Sequence, residues 1–115
     1  MKLADVTVEQ HEPGPVVRVR GEVDLSNADV VRADILNALP QAAAGLVLDL
    51  TETTYLDSSG VRLLFELAER LQARRQRLAL VVTEAALVRR VIVLTKLDDA
   101  VPLHSGVDAA LEALT

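Results

Sequence analysis

The 115-residue sequence contains no cysteine and has only two aromatic residues, Tyr55 and Phe65. Without cysteine, the chain has no disulfides, no thiol catalysis and no thiolate metal sites. Half of the residues are nevertheless hydrophobic, so the core must be built from Val, Leu, Ile and Ala. Such a core is typical of closely layered α/β domains, and the length predicts a single domain over residues 1–115.

The sequence also has little positive charge and no long apolar run. Seventeen acidic residues against twelve basic ones give a net charge of −5, and no basic tail is present. This balance argues against direct binding to nucleic acid. No apolar run approaches the roughly 20 residues that cross a bilayer, and the N-terminus lacks the apolar core of a signal peptide. We therefore expect a cytoplasmic protein that does not insert into membranes.

Signals for catalysis or for cofactors are equally scarce. The two histidines, His11 and His104, fall in predicted loops and have no neighbouring serine or carboxylate that indicates a catalytic triad. No glycine-rich loop is followed by a Walker lysine, and metal ligands at characteristic spacing are absent. Residues 57–60, Asp-Ser-Ser-Gly, lack the glycine-flanked serine of a nucleophile elbow. The sequence predicts neither an enzyme nor a bound cofactor.

The most informative segment is residues 46–71, which reads as a strand, a loop and a helix. The apolar run 46–50 is typical of a strand buried on both faces of a parallel sheet. Asp57 stands where a helix N-cap belongs, and its carboxylate can accept hydrogen bonds from the amides of the first turn. That first turn then consists of Ser58, Ser59 and Gly60. One interpretation is that the two serines only satisfy these amides; the other is that they form a functional site.

The helix that follows has an apolar face wider than the usual stripe. The stripe itself recurs at helical spacing and consists of Val61, Leu64, Phe65, Ala68 and Leu71. Leu63 and Leu67 extend it to one side. Either the next helix along the chain covers these two leucines, or they form an apolar margin beside Ser58 that a partner buries.

The rest of the chain alternates between strands and helices. The N-terminal part predicts a hairpin of strands at 6–8 and 16–20, a loop at 21–25, and a helix that starts at a possible capping box, residues 26–29, and stops near Pro40. The C-terminal part predicts a strand at 78–82, a helix from Thr83 to about Thr95, an edge strand at 100–103, and a last helix from Ser105 through Leu114. This order predicts an α/β fold: a mixed, mostly parallel sheet with an N-terminal β-hairpin and about four helices.

Three sequence features are shared with a known family. They are Gly21-Glu22-Val23-Asp24 after the second strand, the apolar run 46–50 leading into Leu56-Asp57-Ser58-Ser59-Gly60-Val61, and residues 87–98 before a short strand. With them the sequence resembles, over almost its whole length, an anti-sigma factor antagonist of the STAS domain family. The Asp-Ser-Ser-Gly element is the most specific of the three.

The resemblance implies a function based on competition for a partner. In that family the serine directly after the aspartate is phosphorylated by a partner that is both an anti-sigma factor and a serine kinase, and a serine phosphatase restores it. Ser58 occupies this position. The unphosphorylated antagonist binds the anti-sigma factor and thereby frees a sigma factor. The family also includes scaffolds of stress-signalling assemblies and subunits of lipid-transport machines, so such an interaction subunit is the alternative.

The partner-binding surface predicted from the resemblance and the helix pattern comprises Glu22, Asp24, Asp57, Ser58, Ser59, Gly60, Arg62, Leu63 and Leu67. Two residues depart from the family pattern. Arg62 stands where small or apolar residues are common, so it is a point at which partner selectivity can differ. Lys96 replaces a frequent glycine at a helix end, and a left-handed backbone there would cost some stability.

Overall fold

The computed structural model describes residues 4–115, which form a six-stranded sheet with helices on both faces. The strands are β1 (Ala4–Glu9), β2 (Val16–Val23), β3 (Gly45–Asp49), β4 (Thr53–Leu56), β5 (Arg77–Val81) and β6 (Leu103–His104). The helices are α1 (Ala28–Asn37), α2 (Ser58–Ala73), α3 (Leu87–Leu94) and α4 (Val107–Glu112), with a short 3-10 helix at Leu97–Asp99.

The sheet is mixed and mostly parallel. Its order is β1-β2-β3-β5-β6, and β4 pairs with β2 beyond the end of β3. Of the described strands, only β1 and β2 pair antiparallel, in the predicted N-terminal hairpin. The predicted fold class is therefore confirmed, with four α-helices among residues 4–115. Within that range, no helix has both the length and the apolar composition needed to cross a membrane.

Each face of the sheet has its own apolar core. On one face, strand residues such as Val17 and Leu48 pack with the buried sides of α1, α2 and α3. On the other face, a smaller cluster joins Val47 and Val81 to Ala110 of α4. Alternation along each strand produces this division, because successive side chains point to opposite faces. The start of α2 lies at the carboxyl ends of the parallel strands, where ligands and partners commonly bind in such folds.

A glycine lets β2 pair with two strands in succession. Val16–Arg18 pairs with β3, whereas 21–23 pairs with β4, and the register shifts between Gly21 and Glu22. Gly21 has a φ of 103°, a conformation that L side chains rarely adopt. Its amide donates to the carbonyl of Glu52 at 3.0 Å. The resulting bulge bends the strand and carries its end toward the start of α2.

The loop predicted at 21–25 is therefore wrong for 21–23, which belong to β2. Strand β4 was also missed, because the sequence predicts a loop before Asp57. Both errors have one cause: β4 has only four residues, and its two central residues, Thr54 and Tyr55, are exposed. Neither strand segment has a periodicity that separates it from a loop.

Two predictions in the C-terminal half are wrong as well. Helix α3 begins at Leu87 rather than after Thr83, because residues 84–86 form a turn whose Ala86 amide donates to the carbonyl of Thr83. The strand predicted at 100–103 is confined to Leu103–His104. It does lie at the edge of the sheet, as predicted from Pro102.

A partly buried ion pair supports the turn between β3 and β4. Asp49 is buried, and its Oδ2 accepts from Nε of Arg18 at 3.0 Å while its Oδ1 accepts from the amide of Thr51 at 2.9 Å. The hydrogen bond and the charge of Asp49 raise the pKa of the Arg18 guanidinium. Asp49 therefore joins β2 to the turn that leads into β4 and on to α2.

Candidate functional site

Asp57 caps helix α2 as predicted. Its backbone is extended, with φ −91° and ψ −169°, and its Oδ1 accepts from the amides of Ser59 at 2.8 Å and Gly60 at 3.0 Å. Two of the first-turn amides are thus satisfied by one carboxylate oxygen. The hydroxyls of Ser58 and Ser59 are not needed for this purpose. The interpretation that the serines serve only to satisfy these amides is therefore wrong.

The second carboxylate oxygen of Asp57 holds a neighbouring loop. Oδ2 accepts from the amide of Leu25 at 3.1 Å, and the amide of Asp57 donates to the carbonyl of Val23 at 3.2 Å. The loop between β2 and α1 is thereby tied to the start of α2. Hydrogen bonds to a charged acceptor are stronger than those between neutral groups, so this connection fixes the relative position of the two segments.

The loop between β2 and α1 is also ordered internally. Oδ1 of Asp24 accepts from the amide of Ser26 at 2.9 Å and from its hydroxyl at 2.5 Å. Asn27 bridges backwards, with Oδ1 accepting from the Asp24 amide at 3.0 Å and Nδ2 donating to the Glu22 carbonyl at 2.9 Å. The predicted capping box is therefore wrong: the N-cap of α1 is Asn27, and its side chain closes the loop instead of bonding to the helix.

Ser58 and Ser59 differ in accessibility although they are adjacent. Ser58, the first residue of α2, is exposed, whereas Ser59 is half-buried. Among residues 4–115, no group hydrogen-bonds to the Ser58 hydroxyl. That hydroxyl is therefore available to a reagent or a partner from solution.

Gly60 allows α2 to approach β2 closely. A Cβ at this position would lie 2.9 Å from Cδ2 of Leu56 and 3.0 Å from the carbonyl oxygen of Val23. Both distances are shorter than carbon contacts normally allow. Any larger residue would therefore push the start of α2 away from the strand that carries the Glu22–Asp24 segment. Gly60 contributes to the site through its backbone position.

Leu63 and Leu67 belong to the core and not to the predicted partner surface. Their exposed fractions are 3% and 0%, and both pack within the main core cluster. The stripe on α2 is rotated from its predicted position, since Val61, Phe65 and Ala68 are only partly buried. The error arises because α1 packs beside α2 on the same face of the sheet, so the buried face of α2 is wider than one sheet contact requires.

The exposed apolar residue bound to the N-cap of α2 is Leu25, which is not among the residues predicted from the sequence. Its side chain is 82% exposed, the largest exposed fraction among the large hydrophobic residues described. The Asp57 carboxylate holds its backbone beside the start of α2. The sequence carried no signal for Leu25, because single exposed apolar side chains are common on protein surfaces.

The last two predicted partner-binding residues, Glu22 and Arg62, lie at the edges of the site. Glu22 is exposed on β2, directly beside Tyr55 in the pairing with β4, and half of the Tyr55 surface is accessible. Arg62 is exposed on α2, one turn after Ser58. The structure therefore brings together Asp24, Asp57, Ser58, Ser59 and Gly60, with Glu22 and Arg62 at the periphery.

The polar groups described at the site either hold the backbone or face solvent. Both oxygens of the Asp57 carboxylate accept from backbone amides, so this carboxylate holds the helix start and the Leu25 loop in place. In the described part of the chain, no three His, Asp or Glu side chains are grouped so that they could hold a metal ion. The arrangement presents a hydroxyl, an exposed leucine and several charges, which is the chemistry of a binding surface.

The comparisons with known proteins agree with this fold. A sequence model of the STAS domain matches residues 5–110. The crystal structure of an anti-sigma factor antagonist from Mycobacterium paratuberculosis is 32% identical to the chain, with a TM-score of 0.85 over 96% of this chain and 93% of that one. No curated protein matches the chain in sequence.

More distant structures share the fold. The anti-sigma factor antagonist SpoIIAA in its unphosphorylated form is 23% identical, with a TM-score of 0.74 over 95% of this chain and 96% of that one. The Bacillus cell fate determinant SpoIIAA in its phosphorylated form is 21% identical, with a TM-score of 0.67 over 96% and 100%. From the family match over residues 5–110 and the 32% identical structure, we conclude that the chain belongs to the STAS domain family.

Proposed function

We propose that this protein is an anti-sigma factor antagonist whose binding is switched by phosphorylation of Ser58. The unphosphorylated protein binds an anti-sigma factor with serine kinase activity, and the sigma factor is released from that complex. Phosphorylation of Ser58 ends the interaction, and a serine phosphatase restores it. The protein acts by competition for a partner and not by catalysis.

The observation that carries this proposal is the exposed, unbonded hydroxyl of Ser58 on the first residue of α2. A kinase must place the acceptor oxygen in line with the phosphorus of ATP, so it needs an accessible hydroxyl on a well-ordered segment. Asp57 provides the order, since it caps α2 and holds the Leu25 loop. Ser59, which is half-buried, is less suited to this role.

The relative from Mycobacterium paratuberculosis supports the class of partner. Its structure is described as that of an anti-sigma factor antagonist, and the two chains match over nearly their whole lengths. The alternative, a STAS subunit of a signalling scaffold or of a transport machine, has no need of a phosphate acceptor. The exposed Ser58 therefore favours the sigma-regulating function.

The surface around Ser58 suits a partner of mixed chemistry. Leu25 offers an apolar contact that loses water on binding, Asp24 precedes it in the same loop, and Glu22 lies near the end of β2. Exposed leucines of this kind contribute most when a partner encloses them completely. The negative groups favour a basic counterpart, and they raise the rate of association more than the final affinity.

Phosphorylation would place a strongly hydrated group of high negative charge at the centre of this surface. A phosphate adds about −1.5 to −2 charge near neutral pH, beside Asp57 and Asp24. A partner that contacts Ser58 must then desolvate this group, and a poorly matched charge in an interface costs several kcal/mol. Such a cost lowers affinity about a hundredfold or more.

A pull-down from lysate of the native organism tests the proposal. The immobilised parent protein and Ser58→Asp are incubated with lysate with and without ATP, and captured proteins are identified by mass spectrometry. We expect the parent to retain an anti-sigma factor of the serine kinase class, ATP to release it, and Ser58→Asp to retain none. Capture of transport subunits or scaffold proteins by both baits, with no anti-sigma factor, would contradict the proposal.

A further inference from the structure

Arg62 follows Ser58 by four residues on α2, so the two side chains lie on the same face, one turn apart. Residues with this spacing have Cβ atoms about 5–6 Å apart, and oppositely charged pairs at this spacing attract each other. Both residues are exposed and therefore free to move toward one another. A guanidinium is also the side chain best suited to phosphate, since it donates two parallel hydrogen bonds.

The acidic residue one turn after Arg62 on α2 is already paired. Glu66, which follows Arg62 by four residues, lies 3.4 Å from Nη1 of Arg32 on α1. The same Arg32 also holds Asp29, with Nη2 3.3 Å from Oδ1. No ion pair engages Arg62 within residues 4–115. The contact between α1 and α2 thus engages Glu66, and the Arg62 guanidinium pairs with no carboxylate of the described residues.

We propose that Arg62 is the internal binding partner of the phosphate on Ser58, and that it holds this group against the surface of α2. This inference rests on the proposed phosphorylation of Ser58. In the unphosphorylated protein, the guanidinium remains available to the anti-sigma factor. After phosphorylation it turns to the phosphate, so the same modification that adds negative charge at the interface also withdraws a positive one. Arg62 is a positioning residue and takes no part in phosphoryl transfer.

The physical consequence is a change in the titration of the phosphate. A nearby positive charge favours the dianion over the monoanion and therefore lowers the second pKa of phosphoserine, which is about 6 without such a neighbour. An exposed pair at this spacing shifts a titration midpoint by about 0.3 pH unit. The shift should shrink in high salt, because the pair is exposed to solvent.

The test uses protein in which phosphoserine is incorporated at position 58 during translation, so it needs no kinase. The phosphorus-31 shift is titrated between pH 4.5 and 8 in the parent, in Arg62→Gln and in Arg70→Gln. Arg70 is the matched control, because it is an exposed arginine of the same helix that lies about 18 Å from Ser58 along the axis. Amide spectra of all three proteins confirm that the fold is retained.

We expect the midpoint of Arg62→Gln to lie about 0.3 pH unit above that of the parent, and the midpoint of Arg70→Gln to match the parent. The Nε–Hε signal of Arg62 should also move on phosphorylation. Equal midpoints in all three proteins, with an unmoved Arg62 signal, would overturn the inference. That outcome would not contradict the proposed phosphorylation of Ser58 by a kinase. Conversely, a failure to find an anti-sigma kinase would not affect the measurement on Arg62, which needs no kinase.

Discussion

The amide of Leu25 donates to Oδ2 of Asp57 at 3.1 Å, across 32 residues of sequence. This hydrogen bond joins the loop after β2 to the carboxylate that caps α2 through its other oxygen. One side chain therefore fixes both the helix that carries Ser58 and the loop that carries the exposed leucine. The two halves of the candidate binding surface depend on Asp57 for their relative position.

Removing the Asp57 carboxylate should weaken both connections. Loss of a cap costs about 1 kcal/mol, and loss of a hydrogen bond to a charged acceptor adds about 1.5 kcal/mol. We expect Asp57→Ala to lower the free energy of unfolding by about 2–3 kcal/mol in urea denaturation. The amides of Leu25, Ser59 and Gly60 should exchange with deuterium faster than in the parent.

Asp29→Ala is the control for this substitution. Asp29 is also an acidic residue in the first turn of a helix, but it is exposed and caps no amide of α1. Its replacement should change stability by no more than about 0.5 kcal/mol. If both variants lose the same stability, the cap assigned to Asp57 is not responsible.

Leu63 and Leu25 should respond to truncation in opposite ways. Leu63 is 3% exposed, so Leu63→Ala leaves a cavity and should cost about 2–5 kcal/mol of unfolding free energy. Leu25 is 82% exposed, so Leu25→Ala should leave stability within about 0.5 kcal/mol of the parent. Its affinity for the anti-sigma factor should fall about tenfold.

Denaturation curves and titration calorimetry on the same preparations measure both quantities. If Leu63→Ala kept its stability but bound the partner more weakly, Leu63 would belong to the partner surface and not to the core. Undiminished binding by Leu25→Ala would remove Leu25 from it.

Lys96 occupies a left-handed backbone position that glycine would adopt more easily. Its φ of 64° and ψ of 21° lie where a Cβ is sterically unfavourable, by about 1–2 kcal/mol. Replacement by glycine would remove this strain, but part of the stabilisation would be lost because glycine makes the unfolded chain more flexible. We expect Lys96→Gly to stabilise the protein by about 0.5–1 kcal/mol, measured by thermal and urea unfolding. In contrast, Arg90→Gly, inside α3, should destabilise it by about 1 kcal/mol.

The sequence predicted the parts of the fold that have strong periodicity or a specific cap. The apolar run of β3 and the long α2 were both recognisable, and Asp57 was correctly identified as the N-cap. These features are local, because the hydrophobic pattern and the capping residue lie within a few positions of one another. The prediction for Lys96 was also local: a left-handed backbone there would cost stability. The backbone at Lys96 is indeed left-handed.

The parts that failed depend on contacts between distant segments. The second half of β2 is a strand because β4 pairs with it, and neither segment has a pattern of its own. Leu63 and Leu67 are buried because of how α1 and the sheet meet α2, which helical periodicity does not specify. Leu25 became a candidate only when its backbone was found bound to Asp57. Tertiary packing decided each case.

The proposed acceptor can be identified directly by mass. Incubation with the anti-sigma kinase and ATP should add one phosphate to the parent and to Ser59→Ala, and none to Ser58→Ala. The physical reason is accessibility, since Ser58 is exposed and Ser59 is half-buried. Fragmentation of the modified peptide should place the phosphate on residue 58. A gain of mass in Ser58→Ala that disappears in Ser59→Ala would transfer the assignment to Ser59.

Phosphorylation should control binding without unfolding the domain, and Ser58→Asp imitates part of its charge. At the first residue of α2 an anion meets the positive end of the helix dipole, which favours it by a few tenths to about 1 kcal/mol. Repulsion from Asp57 offsets part of this gain, so Ser58→Asp should stay within about 1 kcal/mol of the parent in stability. In the interface the same charge must lose its water, and affinity for the anti-sigma factor should fall about a hundredfold or more. Ser58→Asn is the control of similar size without charge, and it should lose much less affinity. Thermal melts with titration calorimetry test this mechanism, which would not survive an unfolded Ser58→Asp or one that binds as tightly as the parent.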